Sequence, residues 1–209
     1  MRERAGDPGG TSGPTEGIVV RPLGRDTLDD FLAFFDDGAF ADNDWWAGCW
    51  CFFFHSPGDE WDASRRAAPA HRERKVAHIL AGRSCGHLAY VAGRTVGWVN
   101  AAPRESYENP RRFASARDGT EGVGAVMCFV VAAAHRGKGV ATALLEAACE
   151  QFRRDGLRYA EGYPRIGEAR DEWETFATMN YHGPLALYER AGFEMAGEIG
   201  HYAVMRKRL

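Results

Sequence analysis

The chain has 209 residues, 45% of them apolar, enough to bury a full core as one domain. A formal net charge of -3 argues against a protein whose main partner is a nucleic-acid backbone, and small-molecule partners fit better. No run approaches the roughly 18 apolar residues of a membrane span, and five cysteines with no repeating framework or secretory leader pattern point to free thiols in the cytoplasm.

Residues 1–17 carry Gly6, Pro8, Gly9, Gly10, Gly13, Pro14 and Gly17. They bury too little apolar surface to offset the entropy of ordering, and they read as a disordered arm before a single domain over 18–209. Ile18 to Leu23 reads as the first strand, with Pro22 marking its end or an edge. Thr27 opens a helix, with Asp30 at capping-box spacing and Leu28, Phe31, Leu32 and Phe35 on one face.

The aromatic stretch from Ala39 to His55 reads as core and pocket wall ending in a second strand. Within it Cys49-x-Cys51 with His55 hints at a metal site, but no second cysteine pair at zinc spacing follows, and no metal is expected. A helix starts near Pro69 and carries Val76, Ile79 and Leu80 against a basic face of Arg72, Arg74 and Lys75. His87 to Val91 and Thr95 to Val99 flank Ala92-Gly93-Arg94 as an antiparallel hairpin. Arg104 to Glu121 is a long loop.

Val126 to Val131 is a continuous, β-branched-rich apolar run, the mark of a strand buried on both faces. Arg136-Gly137-Lys138-Gly139 turns the chain, and from Val140 the apolar residues recur at helical spacing until Gly156 stops the helix. A helix start among glycines leaves backbone N–H groups free at the positive end of the dipole, which makes an anion site. Gly137 to Thr142 fits neither the nucleotide P-loop nor the dinucleotide fingerprint. Leu157 to Pro164 reads as a further strand, Arg165 to Gly183 as a second long excursion, Leu185 to Ala191 as a short helix ended by Gly192, and Phe193 to Met195 with Tyr202 to Met205 as a final hairpin.

Arg136-x-x-Gly139-x-Ala141 resembles the R/Q-x-x-G-x-G/A pyrophosphate loop of the GCN5-related N-acetyltransferases, the GNAT superfamily. Leu187-Tyr188-x-x-x-Gly192-Phe193 resembles that family's C-terminal L-Y-x-x-x-G-F block. Phe31 to Asp36, Cys49-Trp50-Cys51, Gly97 to Arg104 and Glu161 to Pro164 are similar to one bacterial branch of it, so the likeness runs from about Ile18 to the end. It implies an α/β (mixed α+β) fold: a mostly antiparallel central sheet, splayed in the middle, with helices on both faces. Acetyl-CoA as acyl-donor co-substrate would enter the splay, with backbone groups of Phe129 and Val131 on its pantetheine arm and Arg136, Gly137, Lys138, Gly139, Val140 and Ala141 around its pyrophosphate.

The implied activity is N-acyl, most simply N-acetyl, transfer to a primary amine by direct attack. Tyr188 matches the family's general acid for the departing thiolate. The family's strand glutamate is replaced by Ala125 and Val126, which leaves Glu161 as the candidate base and Glu121 as a weaker one. Trp45, Trp46, Glu121, Asn180 and His182 are candidate acceptor-site residues, and Asp42, Asp44, Asp171, Glu172 and Glu174 would suit a cationic amine. The acceptor reads as a small-molecule or peptide amine, without a membrane partner. Two alternatives stand beside this: the same scaffold with another donor such as an aminoacyl-tRNA, and a non-catalytic coenzyme A sensor. A homodimer is among the assemblies considered.

Overall fold

A computed structural model of the protein describes residues 17–42, 46–57, 60–62, 65–109, 121–167 and 179–209. Seven strands form one sheet in the order β1-β2-β3-β4-β5-β7-β6. They are β1 (Ile18–Pro22), β2 (Gly86–Val91), β3 (Arg94–Pro103), β4 (Val123–Val131), β5 (Tyr159–Gly162), β6 (Glu194–Ile199) and β7 (Tyr202–Arg208). Every neighbouring pair is antiparallel except β4 with β5. That pair is parallel because α3 (Val140–Arg154) carries the chain back between them.

The local signals account for most of these elements. The β2–β3 loop is the two residues Ala92 and Gly93, both at positive φ (48° and 76°), the conformation that a tight hairpin with twisted strands requires. At the end of α3, Gly156 is left-handed, and Leu157 N–H donates to Phe152 O at 2.9 Å, closing the helix. The short helix α4 (Leu185–Arg190) ends in the same way, with Gly192 left-handed and Phe193 N–H donating to Tyr188 O.

One face of the sheet carries α3 and α4 over Val99, Val126, Phe129, Leu144, Phe152 and Tyr188. The other carries α1 (Leu28–Asp37) and α2 (Ala68–Leu80) over Phe31, Phe35, Trp50, Leu88 and Trp98. A third cluster, with Phe54, Tyr107, Met127 and Tyr163, continues this second face beside β4 and β5.

Two expectations are corrected. The aromatic stretch does not end in a strand: Trp50 and Cys51 both sit at φ +50°, which breaks an extended run, and the chain closes into a 3-10 turn at Phe53–His55. Trp50, Phe52 and Phe54 are core residues. Nor does the capping box form at α1, because Thr27 Oγ1 accepts the N–H of Gly24 at 2.9 Å and Asp30 instead accepts the hydroxyl of Tyr90 at 2.8 Å. Residues 1–16 and 110–120, with most of the second excursion, lie outside the described residues.

The register between β3 and β4 slips once. Asn100 faces Cys128, but Ala101 faces Val126, so Met127 is an extra residue in β4. Such a bulge bends its strand and increases its twist. The bend falls where pairing with β5 stops: Val123 to Val126 pair with Tyr159 to Gly162, and beyond them the two strands part.

Helix α3 lies close to the sheet because Gly97 and Gly124 have no side chain. A Cβ at Gly124 would stand 2.4 Å from the Phe152 ring. Gly124→Ala is therefore expected to lower stability by about 1–3 kcal/mol, and thermal unfolding should show the melting temperature falling by roughly 2–4 °C for each of these.

Candidate active site

Beyond Gly162 the parting of β4 and β5 opens a split, and the chain leaving β4 turns directly into the glycine loop. Gly137 and Gly139 hold φ of +70° and +83°, and Gly139 is the N-cap of α3. No side chain caps that helix start, and no acidic residue stands in its first turn. The first backbone N–H groups of the 15-residue helix thus have no side-chain cap at the positive end of its dipole. Gly137 and Lys138 are exposed and Gly139 and Ala141 half-buried, while Val140 anchors the turn in the core.

Arg136 is engaged by Asp42 and by the end of β4. Its guanidinium makes a two-pronged pair with the Asp42 carboxylate, one contact at 3.0 Å, and its Nε donates to Val131 O at 3.1 Å. The pair, above all its hydrogen bond, holds the Asp42 carboxyl below the usual range. Asp42, named as a residue suited to a cationic amine, is bound to Arg136 of the glycine loop.

The free edge of β4 is also occupied from within. Phe129 N–H donates to Tyr181 O at 2.6 Å, so the two backbone groups expected to meet pantetheine, on Phe129 and Val131, both have protein partners. Trp46 packs its ring against Tyr181 with centroids 5.1 Å apart, which ties the aromatic stretch to the same segment.

Tyr188 lies at the floor of the split. It is fully buried, and its ring rests against Gly162, where a Cβ would meet a ring carbon at 2.0 Å. Its hydroxyl donates to His182 O at 2.5 Å, and burial raises its pKa well above the ordinary tyrosine value. The turn that supplies this acceptor runs from Asn180 to Gly183, closed by Gly183 N–H to Asn180 O at 2.8 Å. His182 is buried between Tyr181 and Phe54, with ring centroids 4.1 and 5.8 Å away. Asn180 and His182 thus form the turn that orients Tyr188.

Glu161 lies in a buried ion-pair network. Arg104 Nη1 and the hydroxyl of Tyr163 each donate to Oε2 at 2.8 Å, and Arg206 donates to Oε1 through Nε at 2.7 Å. The carboxylate is fully buried, and its lone pairs are spent on these donors. Arg206 faces Glu161 across the β5–β7 register, a cross-strand pair whose only sequence signal was a charge inside the last strand. Arg104 and Tyr163 carried no signal that sequence spacing exposes.

Glu121 is not part of the split. It is exposed before β4, at the strand end opposite the glycine loop, and its carbonyl accepts from Arg158 Nη2 at 3.0 Å. Trp45, Asp44, Asp171, Glu172 and Glu174 lie outside the described residues.

A sequence profile of the Acetyltransferase (GNAT) family matches residues 43–193, well over half of the chain. The chain belongs to the GNAT acetyltransferase family.

No functionally curated protein matches the sequence. Among solved structures, a GCN5-related N-acetyltransferase from Kribbella flavida is 20% identical at a TM-score of 0.50, covering 94% of this chain and 100% of its own. The PaiA N-acetyltransferase from Thermoplasma acidophilum, in complex with coenzyme A, is 12% identical at 0.50, covering 92% and 99%. The ribosomal-protein-alanine N-acetyltransferase from Brucella melitensis is 16% identical at 0.52, covering 91% and 99%. At these identities the likeness is one of GNAT fold.

Within this GNAT chain, Glu161→Ala would leave two guanidinium groups without their shared carboxylate. It is expected to cost about 3 kcal/mol or more of stability, measured by urea unfolding. A base role would instead show as lost turnover with the unfolding midpoint unchanged.

Proposed function

We propose that the protein moves an acyl group, most simply acetyl, from coenzyme A to a primary amine by direct attack. One observation carries this reading: the split between β4 and β5 opens straight onto an uncapped helix start set among left-handed glycines. A pantetheine arm and its pyrophosphate need those two features in that order.

In this reading the N–H groups of Gly137, Lys138, Gly139, Val140 and Ala141 receive the pyrophosphate. Arg136 adds its charge by giving up Asp42, and the edge groups of Phe129 and Val131 turn from their internal partners to the pantetheine amides. The residues present fit the group: the loop offers donors, dipole and space. When bound, coenzyme A supplies an activated thioester carbonyl.

Attack on that carbonyl forms a C–N bond, and the C–S bond breaks. Tyr188 is the proton source for the departing sulfur: it is protonated at neutral pH, and because burial raises its pKa above that of a thiol, the transfer depends on holding the hydroxyl close to the sulfur, in a buried position beside Gly162 that excludes competing water. The proton that Tyr188 gives up at sulfur is replaced from the ammonium formed at the attacking nitrogen or from water. Glu161 is not assigned the base, because Arg104, Tyr163 and Arg206 already occupy its carboxyl oxygens. Acceptor amines that are neutral at working pH would need none.

Release of free coenzyme A thiol from acetyl-CoA, dependent on an added amine, tests the reading across an amine panel. Melting-temperature stabilisation by coenzyme A without any amine-dependent release would overturn it in favour of a sensing module. Tyr188→Phe is expected to lower kcat by roughly 100-fold or more with an unchanged KM for the donor. Arg136→Ala is expected to raise that KM by about tenfold, the worth of one charge-assisted hydrogen bond, and to leave kcat near its original value.

A further inference from the structure

The Cys49-x-Cys51 motif has no part in the chemistry above, and among the described residues no three His, Cys, Asp or Glu side chains are placed to hold a metal ion. The bend at Trp50 and Cys51, both at φ +50°, instead turns the Cys51 side chain into the core beneath β3 and β4. Non-glycine residues held there carry backbone strain that the surroundings must enforce.

What surrounds Cys51 is polar for so buried a place. The Asn100 side chain is fixed, since its Oδ1 accepts the Tyr107 hydroxyl at 2.9 Å. Its Nδ2 therefore faces Cys51, 3.3 Å from the carbonyl and 3.7 Å from Sγ. The indole N–H of Trp98, buried and without a hydrogen-bond partner, lies in the same cluster. Cys128 stands opposite Asn100 in the β3–β4 register and packs against the same core cluster as Cys51, its thiol donating to Phe129 O at 3.8 Å.

The ammonium group of Lys75 completes the cluster. Lys75 is fully buried on α2, lies over the rings of Trp98 and Phe31 at 5.1 and 5.5 Å, and has no hydrogen-bond partner. Burial lowers the Lys75 pKa, because a buried charge without a counter-charge is costly, and Cys51 is the group that most opposes that shift. The contacts from Cys128, then Lys75, Trp98 and Asn100, lower the Cys51 pKa, whereas burial raises those of Cys49, Cys85 and Cys149. Cys51 is thus the favoured thiolate, and a second thiol, Cys128, shares its cluster and its neighbour Asn100.

We propose that Cys51 and Cys128 are a reversible dithiol–disulfide pair, oxidised by hydrogen peroxide or a small hydroperoxide, with Lys75 as the positioning residue that stabilises the reactive thiolate. The Cys51 sulfur attacks a peroxide oxygen, the O–O bond breaks, and the leaving oxygen takes a proton to depart as water or alcohol. The Cys128 sulfur then attacks the Cys51 sulfenic acid, the S–O bond breaks, and its hydroxide leaves as water with the Cys128 proton. Two electrons pass from the two thiols to the peroxide. The half-buried Cys128, beside the bulge of β4, gives a water-sized oxidant its way in. This inference stands apart from the transferase reading.

The test uses the reduced full-length chain, treated with a stoichiometric amount of hydrogen peroxide and then alkylated. Of the five free thiols, two should be lost, leaving three. The intact mass should fall by two hydrogens, and dithiothreitol should reverse both changes. Peptide mapping in a Cys49→Ser background should join the Cys51 and Cys128 peptides. Cys51→Ser and Cys128→Ser should each abolish the link, Cys85→Ser should not, and Lys75→Met, which keeps the volume, should slow its formation about tenfold. Should one cysteine variant fail to fold, the other and the wild-type mapping still decide. Five surviving thiols, a link between Cys49 and Cys51, or oxidation collected as sulfinic acid on the exposed Cys85 would overturn the proposal.

Discussion

The structure depends on where the parallel pairing of β4 with β5 ends. Four rungs join Val123–Val126 to Tyr159–Gly162, and then the extra residue Met127 bends β4 away. A bulge is a local defect in one ladder, yet here it sets the architecture of the whole sheet. Upstream of it the sheet is closed and buried. Downstream, among the described residues, β4 keeps β3 as its strand partner, and its other edge meets the Tyr181 segment and runs on toward the glycine loop.

Opening a sheet exposes backbone polar groups and weakens the strands that flank the gap. The chain compensates on the β5 side with charge. Glu161, between Arg104, Arg206 and Tyr163, joins the last paired residues of β5 to β7 and to the turn after β3. Such a buried network is poorly replaced piecemeal, because each member is satisfied only by the others. Gly162 lets the Tyr188 ring close the floor at a distance no side chain would permit. Rigid walls and a missing strand contact are therefore produced together.

The elements with local causes were legible in the sequence. The hairpin at Ala92-Gly93, the helix stops at Gly156 and Gly192, and the strand–loop–helix around Gly137 and Gly139 all follow from glycine conformation and apolar periodicity. The aromatic stretch was misread at its end because apolar run length does not distinguish a strand from a coil packed into a core, and nothing in Trp50-Cys51 announces a left-handed bend. The site was legible as to which residues lie near the split, but not as to their bonds. Glu161 and Arg136 are residues whose partners come from segments 45 and 94 residues away in the chain, and such pairings are properties of the tertiary fold.

The internal contacts along the split bear on how any ligand would be measured there. Arg136 already has a carboxylate, and the Phe129 N–H already has a carbonyl. A ligand that took over these two groups would replace their present bonds and not add to them, so the number of hydrogen bonds would hardly change. The enthalpy of such an event is a small difference between large terms. Calorimetry at one temperature would under-report a contact that titration against ionic strength reveals, since screening weakens the arriving charge and the resident one unequally.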